Sequence, residues 1–300
     1  MRLAAIDIGS NAIRLLIEEV ITDGDEHYIR KISLTRVPLR LGADSFTMGK
    51  ISTKKTNQLV RTMEAFWNLM DVHDVIDFRA CATSAMREAS NGLEVIDIVR
   101  MRSNINIEII KGQEEAALLF SNFKGSNYIK PEENYLYIDL GGGSTEITVI
   151  EKGKKTAAKS FKIGTVRGLN NQNYELLWEE LEAWIKEKNL ASKKLIGIGT
   201  GGNINRLHKE AGMKSYQPLT LEELNNIYDY LSSFSVKDRM MKLKLKPDRA
   251  DVIVPAAEIY MRIMRCADVS EIRVPKVGLS DGIVLDLYKN WKARTTHSVN

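Results

Sequence analysis

The sequence predicts an α/β protein with two domains, and three observations support this fold class. The chain has 300 residues, a length that suits two domains better than one. Short apolar runs typical of strands alternate with stretches whose apolar residues recur at helical spacing. One arrangement occurs twice, namely a strand that ends in an acid, a glycine-containing turn and a second strand. The two copies contain DIGSN at 7–11 and DLGGGST at 139–145.

The first half is predicted to open with a β-hairpin, because two apolar segments flank the tight turn GSN. A third strand follows, and then a helix that Ser52 or Thr53 can cap and whose apolar residues share one face. The predicted strands of this half are 2–8, 12–20, 27–37, 78–83 and 106–110. The predicted helices are 53–70, 91–102 and one that begins near 112.

The second half repeats this order after a polar stretch at 121–133 that contains glycine and proline. Its predicted strands are 134–140, 144–151, 154–163, 195–199 and 271–275. Helices are predicted at 173–188 and 202–211, and the remainder is mostly helical. We therefore expect domains at 1–124 and 125–300, with the last helix as a candidate for packing back toward the first domain.

Composition and charge are those of an ordinary globular protein. The formal net charge is +4 with acids and bases well mixed, which gives no indication of nucleic-acid binding. Cys81 and Cys266 lie in apolar runs without metal-type spacing, so we expect buried free thiols rather than a zinc site. No apolar run approaches about 18 residues and no secretory leader is visible, so we expect no membrane segment and a cytoplasmic location.

The two Asp-Gly turns predict phosphate binding. A glycine-rich turn between strands lets backbone N–H groups converge on an anion, and phosphate is the usual one. The acid at the end of each first strand, Asp7 or Asp139, can bind a hard cation directly or through water. Either acid can instead cap its turn, and a single GGG segment also suits a plain hairpin. Because both turns share one layout, we favour a phosphate site.

The paired turns resemble those of the actin, sugar kinase and heat-shock ATPase superfamily, in which both loops bind phosphate. Within it, six segments look like those of the exopolyphosphatase and guanosine pentaphosphate phosphohydrolase family, in the same order and over nearly the whole chain. The segments are DIGSNAIRL (7–15), ATSAMREASN (82–91), KGQEEAALLF (111–120), DLGGGSTEI (139–147), GTGGNI (199–204) and PDRADVIVP (247–255). The resemblance implies two actin-like (ribonuclease H-like) domains with an interdomain active-site cleft.

The resemblance also implies catalytic residues. Glu115, the second acid of the EEA segment, would be the base that activates water for attack on phosphorus. Its position alone favours a solvated acid in a first helical turn, and only the family motif reverses that interpretation. Arg87 would lie at the active site, where its planar guanidinium suits a phosphate.

Metal and phosphate contacts follow from the same resemblance. Asp139 would help to hold Mg²⁺ or another divalent cation, with Asp7 and Glu146 as further candidate ligands. Phosphate contacts are expected from Ser10, Asn11, Gly141, Gly142, Gly143 and Ser144. Contacts to a nucleotide, or to a further stretch of polyphosphate, are expected from Gly201, Gly202 and Asn203.

Several features depart from the family pattern. Lys111 stands where serine is more frequent, and Ala12 replaces a frequent serine. The usual GLREG segment reads GLSDG at 278–282, where Ser280 and Asp281 remove one cation and add one anion. Longer members carry an extra C-terminal helical region. From the shorter chain we expect activity on shorter polyphosphates or less processive hydrolysis.

The predicted function is release of terminal phosphate from inorganic polyphosphate by metal-assisted attack of water. Guanosine pentaphosphate is the alternative substrate, which would connect the chain to the stringent response. A small-molecule kinase of the same superfold and a non-catalytic polyphosphate or alarmone sensor are further alternatives. The resemblance suggests a homodimer, and neither nucleic acid nor membrane is expected as a partner. The basic segment 237–249 is interpreted as a solvated face or as a guide for a polyanion.

Overall fold

The structure is a computed structural model that describes residues 1–23, 26–123, 129–168, 174–215 and 217–297. The chain forms two compact units. Unit 1 consists of Met1–Asn122 together with Gly278–Asn300, and unit 2 consists of Phe123–Val277. The sequence-based bounds counted the last helix with the second domain and named it as a candidate for return to the first; its contacts place it in unit 1.

Unit 1 contains one sheet of five strands in the order β3-β2-β1-β4-β5. The strands are β1 (Arg2–Ile8), β2 (Ile13–Asp23), β3 (Glu26–Val37), β4 (Val75–Ala82) and β5 (Ile107–Ile109). The helices between them are α1 (Leu41–Met48), α2 (Thr53–Val72), α3 (Ser84–Glu88), α4 (Gly92–Ser103) and α5 (Gly112–Ser121). The central strand β1 pairs antiparallel with β2 and parallel with β4, which explains why it is buried almost throughout.

Helix α2 illustrates how the local sequence sets an element of unit 1. The Ser52 hydroxyl accepts a hydrogen bond from the Lys55 N–H and so caps the N-terminus. Leu59, Met63 and Phe66 recur at helical spacing and are fully buried in the core beneath the sheet. The predicted helix is therefore confirmed, with an end two residues later than expected.

Unit 2 contains a sheet of six strands in the order β10-β11-β9-β6-β7-β8. The strands are β6 (Asn134–Leu140), β7 (Thr145–Glu151), β8 (Lys154–Phe161), β9 (Leu195–Thr200), β10 (Leu219–Thr220) and β11 (Glu271–Arg273). The helices of unit 2 are α6 (Tyr174–Glu187), α7 (Gly202–Glu210), α8 (Leu221–Ser232), α9 (Val236–Met241), α10 (Pro247–Ala250) and α11 (Ile253–Cys266). The final helix α12 (Leu279–His297) packs against α5, β1, β2 and β4 of unit 1.

The predicted α/β class and the predicted repeat are both confirmed. Each sheet has an antiparallel meander of three strands, with a parallel fourth strand beside the first: β3-β2-β1-β4 in unit 1 and β8-β7-β6-β9 in unit 2. Part of the predicted linker at 121–133 and the predicted helix start at residue 173 lie outside the described residues. Within the part of the chain that is described, no helix has the length and apolar character needed to cross a bilayer.

Candidate functional site

The glycine turn of unit 2 is held by its carbonyl groups. The carbonyl oxygens of residues 141–143 accept hydrogen bonds from the segment 165–167 at 2.7–3.2 Å. Among the described residues, none accepts a hydrogen bond from the N–H groups of Gly142 and Gly143. The carbonyls of this turn are bound on one side and the N–H groups of Gly142 and Gly143 are not, which is the polarity that an anion site requires.

This close packing depends on Gly164, a residue that sequence reasoning did not single out. A Cβ atom at residue 164 would lie 2.5 Å from the carbonyl oxygen of Gly142 and 2.5 Å from the carbonyl carbon of Gly143. Only glycine therefore allows the segment after β8 to lie on the turn. The signal in the sequence was a lone glycine after the third strand, which by itself indicates only a loop.

The first turn in unit 1 is held in the same way. Arg40 and Gly42, which follow β3, donate their backbone N–H groups to the carbonyls of Asn11 and Ser10 at 2.9 and 2.8 Å. The Ser10 hydroxyl is buried and lies 2.9 Å from the hydroxyl of Ser84. The side chain of Ser10 thus belongs to a buried pair, and its predicted role toward phosphate stays a prediction.

The acids at the ends of β1 and β6 have different neighbours. Asp7 stands opposite Arg14 in the β1–β2 pairing, and the Arg14 guanidinium donates to its carboxylate at 2.5 Å. Asp139 stands at the equivalent position of the β6–β7 pairing, where its partner is Glu146. Asp7 therefore has a cation fixed within the fold. Asp139 faces a second carboxylate, which makes the unit 2 turn the better metal candidate of the two.

A row of polar side chains crosses four strands of the unit 2 sheet. Thr200 on β9 pairs with Asp139, Asp139 pairs with Glu146, and Glu146 pairs with Ser160 on β8. Thr200 donates to Asp139 Oδ1 at 2.6 Å. Ser160 and Ser144 both donate to Glu146 Oε1 at 2.8 Å. Each carboxylate thus has one oxygen bound by a hydroxyl, and the Ser144 hydroxyl is directed at Glu146.

The two carboxylates of this row fit a divalent cation. A ligand oxygen of Asp139 lies within 4.8 Å of one of Glu146, and Glu146 is 1% exposed. Like charges directly opposite in a sheet repel each other, and burial strengthens that repulsion. A hard cation such as Mg²⁺ removes it and prefers oxygen ligands of this kind. The donor set therefore agrees with the predicted metal, which stays a prediction.

Two tyrosines that sequence reasoning missed lie behind Asp139. The hydroxyl of Tyr137 is 2.6 Å from that of Thr200, and the hydroxyl of Tyr260 donates to the Thr200 carbonyl at 3.2 Å. Burial raises the pKa of Tyr137 and of Tyr260 well above the usual tyrosine value, and the nearby Asp139 raises both further. Tyr137 precedes Asp139 by two positions on a strand, so its side chain had to share that face.

The GTGGN loop packs against the glycine turn. Asn203 donates its side-chain N–H to the carbonyl of Leu140 at 3.4 Å and accepts from the Arg249 guanidinium at 3.0 Å. Gly201 has a positive φ of 93°, which lets β9 turn directly into α7. The amide of Asn203 thus ties two loops together, and contacts from Gly201, Gly202 and Asn203 to a ligand stay predictions.

In unit 1 the two acids of the EEA segment are clearly distinguished. Glu114 is half-exposed and binds Arg79 at 2.6 Å, whereas Glu115 is 6% exposed in the first turn of α5. Arg87 donates to the carbonyl of Ile110 at 2.8 Å, and its guanidinium lies 4.0 Å from Glu115. The structure therefore gives Glu114 a structural partner and places a cation beside Glu115, whose catalytic role stays a prediction, as does that of Arg87.

Comparison with known proteins decides the family. A sequence profile of the Ppx/GppA phosphatase family matches residues 20–291. The chain belongs to the Ppx/GppA phosphatase family. This membership confirms the family predicted from the six segments, and with it the prediction of a phosphoanhydride hydrolase.

Relatives of this Ppx/GppA chain include two kinds of curated enzyme. Exopolyphosphatase 1 of Mycobacterium tuberculosis is 24% identical over 305 residues, which cover 95% of this chain and 88% of that protein. The guanosine-5'-triphosphate,3'-diphosphate pyrophosphatase of Aeromonas hydrophila is 24% identical over 303 residues, which cover 96% of this chain and 59% of that protein.

A solved structure confirms the fold. The crystal structure of an exopolyphosphatase from Cytophaga hutchinsonii has a TM-score of 0.83 at 22% identity and covers 97% of this chain and 98% of that one. The predicted two-domain α/β architecture of the Ppx/GppA family is therefore present in this chain.

The departure from the family's GLREG segment lies at the start of α12. Asp281 accepts a hydrogen bond from the Gly278 N–H at 2.8 Å and pairs with Lys31 at 2.5 Å. Glu18 lies beside this pair and is buried. Burial and then Asp281 raise the pKa of Glu18 to about 7, while Lys31 lowers it. The added anion thus has a local cation partner within unit 1.

The basic segment 237–249 does not form one solvated face. Arg239 is buried and donates to the carbonyls of Leu231 and Ala250 at 2.8 and 3.0 Å. Arg249 contacts Asn203 of the GTGGN loop, whereas Lys242 is exposed and pairs with Asp238. Both arginines of the segment therefore stabilise the fold, and the interpretation as a charged surface applies only to its lysines.

Proposed function

We propose that this chain is an exopolyphosphatase, which releases the terminal phosphate of inorganic polyphosphate. The observation that carries the proposal is the pair of facing carboxylates Asp139 and Glu146, placed beside a glycine turn whose carbonyls are bound on one side. A pair of carboxylates favours binding of a cation, and the N–H groups of the turn favour binding of an anion. A metal-bound phosphate satisfies both, and a curated relative named exopolyphosphatase covers 95% of the chain.

Each residue has a proposed role in this reaction. Asp139 and Glu146 would hold Mg²⁺, which would supply Lewis acidity and offset the negative charge of the substrate. The N–H groups of Gly142 and Gly143 bind phosphate oxygens and stabilise charge that develops on them. Arg87 adds a guanidinium for the same purpose.

Glu115 is the proposed general base. It takes a proton from a water molecule whose oxygen forms a bond to the terminal phosphorus. The bond from that phosphorus to the bridging oxygen breaks, and its electron pair leaves with the shortened polyphosphate. Burial of Glu115 restricts its rotamers, which favours a fixed direction for the attacking water.

Guanosine pentaphosphate is the second candidate substrate, because a curated pyrophosphatase of that class matches 96% of the chain. It also ends in a phosphoanhydride-linked phosphate, so the same residues would act on it. A connection to the stringent response would follow from this substrate. That connection, the homodimer and the cytoplasmic location stay predictions.

The test is a phosphate-release assay with Mg²⁺ on polyphosphates of several lengths, guanosine pentaphosphate and ATP. Glu115→Gln keeps the shape of the side chain and removes the base, so we expect turnover to fall by about 100-fold or more. Glu114→Gln is the matched control, because Glu114 is the neighbouring acid and pairs with Arg79, so we expect near-normal turnover. Normal turnover by Glu115→Gln would refute the assignment of the base. Preference for guanosine pentaphosphate would replace the proposed substrate.

A further inference from the structure

A chain of buried hydroxyl groups ends on Asp139. The hydroxyl of Tyr137 lies 2.6 Å from that of Thr200, which lies 2.6 Å from Asp139 Oδ1. Tyr137 and Thr200 are both 0% exposed, so water cannot replace either partner without opening the core. Neither residue has a role in the proposed reaction.

The direction of these hydrogen bonds is fixed by chemistry. An ionised carboxylate only accepts, so Thr200 gives its single hydroxyl proton to Asp139. Tyr137 must then donate its own proton to the Thr200 oxygen. Tyr260 donates to the backbone carbonyl of Thr200 from α11 and holds the end of β9 in place. The hydroxyls of Tyr137 and Thr200 are therefore both directed toward Asp139 Oδ1, the first through the second.

The sheet explains why these groups meet. β6 and β9 are parallel, and their register sets Asp139 directly beside Thr200. Tyr137 lies two residues before Asp139 on β6, so the two side chains point to the same face of the sheet. The arrangement is therefore built by strand register in rigid elements and does not depend on a loop.

We propose that Thr200 is a positioning residue that fixes the Asp139 carboxylate for divalent cation binding, with Tyr137 as the group that fixes Thr200. This inference rests on the proposed metal role of Asp139. By binding Oδ1, Thr200 selects one rotamer of Asp139 and directs the carboxylate toward Glu146. Thr200 touches neither substrate nor cation, because its hydroxyl is enclosed by protein. Hydrogen-bond partners of metal ligands commonly account for 10- to 100-fold in metal affinity.

Glu146 provides an internal comparison. Its Oε1 accepts from two hydroxyls, Ser144 and Ser160, whereas the hydroxyl of Thr200 is the donor to Asp139 Oδ1. Loss of the Ser160 hydroxyl leaves Glu146 Oε1 with the Ser144 hydroxyl, while loss of the Thr200 hydroxyl removes a fully buried donor from Asp139 Oδ1. We therefore expect Ser160→Ala to weaken metal binding less than Thr200→Val.

The experiment measures Mn²⁺ binding to the full chain by electron paramagnetic resonance, without substrate, so that it does not depend on activity. Thr200→Val keeps the shape and removes the hydroxyl, and we expect Mn²⁺ affinity to fall by about 10- to 100-fold. Thr200→Ser restores the hydroxyl, and we expect an affinity within about 3-fold of wild type. Unchanged affinity in a folded Thr200→Val variant would overturn the inference.

Two further variants keep the test decisive. If Thr200→Val does not fold, Tyr137→Phe probes the same chain, and unchanged Mn²⁺ affinity in that variant would overturn the inference. Asp139→Asn tests the metal assignment itself, and wild-type affinity there would overturn the inference together with the proposed metal site. If wild type releases no phosphate from any polyphosphate while Thr200→Val still weakens Mn²⁺ binding, the proposed function fails and this inference stands.

Discussion

The contact between α12 and α5 in unit 1 leaves no room for a methyl group at Gly282. A Cβ atom there would lie 2.1 Å from the carbonyl oxygen of Leu118 and 2.7 Å from its carbonyl carbon. Both are backbone atoms of α5, so no side-chain rotation can relieve the contact. The helices would have to separate by about 1.4 Å to reach an ordinary van der Waals distance of about 3.5 Å.

The expected cost of Gly282→Ala follows from two opposing effects. Alanine at a helical position stabilises by about 1 kcal/mol relative to glycine. Overpacking costs about 1–3 kcal/mol, and a contact of the new Cβ atom with backbone atoms, which cannot rotate away, belongs at the upper end. The separation would also weaken the hydrogen bond from Asn122 to the Gly278 carbonyl, now 3.0 Å. We therefore expect a net destabilisation of about 2 kcal/mol.

Thermal unfolding followed by circular dichroism tests this expectation. For a unit of this size, about 2 kcal/mol corresponds to a Tm lowered by roughly 4–8 °C. Gly278→Ala is the matched control, because a Cβ atom there would meet only Asp281 Oδ2 at 3.9 Å, and its Tm should change by no more than about 2 °C. The reasoning is refuted if Gly282→Ala unfolds at or above the wild-type Tm. A lower Tm should come with lower turnover, because α5 carries Glu115.

Two further predictions concern buried or shared charges. Burial holds the pKa of Glu18 at about 7, above its unfolded value of 4.5, so wild type loses stability as pH rises through this window. The free energy of unfolding of Glu18→Gln, measured in urea, should rise relative to that of wild type by on the order of 2–3 kcal/mol between pH 5 and pH 8. A difference between the two proteins that does not change with pH would contradict this. Arg79→Met leaves Glu108, Glu114 and Asp286 without their shared cation, and should destabilise unit 1 by about 1 kcal/mol, since these acids are half-exposed. Added salt should reduce that loss, and a loss that is insensitive to salt would contradict an electrostatic origin.

The sequence predicted best those elements whose pattern is local. Strand β6 has the predicted bounds, because an apolar run ends in Asp139 and three glycines. Helices α4 and α7 lie within one residue of their predicted bounds. Period-2 and period-3.6 patterns, together with turn residues, are properties of neighbouring positions and can be recognised in one chain.

The features that the sequence did not predict depend on contacts between residues that lie far apart in the chain. Thr200 approaches Asp139 only because β9 pairs with β6 in one register, and a shift by one residue would separate them. Gly164 contacts the glycine turn through backbone atoms, which leave no compositional signal. Arg239 looked like one charge of a basic run, yet it is buried because it satisfies carbonyls of two other segments.

The first hairpin of each unit has the same backbone arrangement but different side chains near the turn. In both units a four-residue turn joins the first two strands, since Ile8 pairs with Ile13 and Leu140 pairs with Thr145. In both, the segment after the third strand binds the carbonyls of that turn. The two hairpins differ at the next cross-strand residue pair, one position further from the turn.

At that position unit 1 opposes Asp7 with Arg14, and unit 2 opposes Asp139 with Glu146. The Arg14 guanidinium offsets the charge of Asp7 within the fold, and the role of Asp7 toward a metal stays a prediction. Two carboxylates in unit 2 have no such partner in each other, and the hydroxyls of Thr200 and Ser160 only orient them. This difference of one residue at equivalent positions of two similar hairpins is the reason why the proposed cation site is assigned to unit 2.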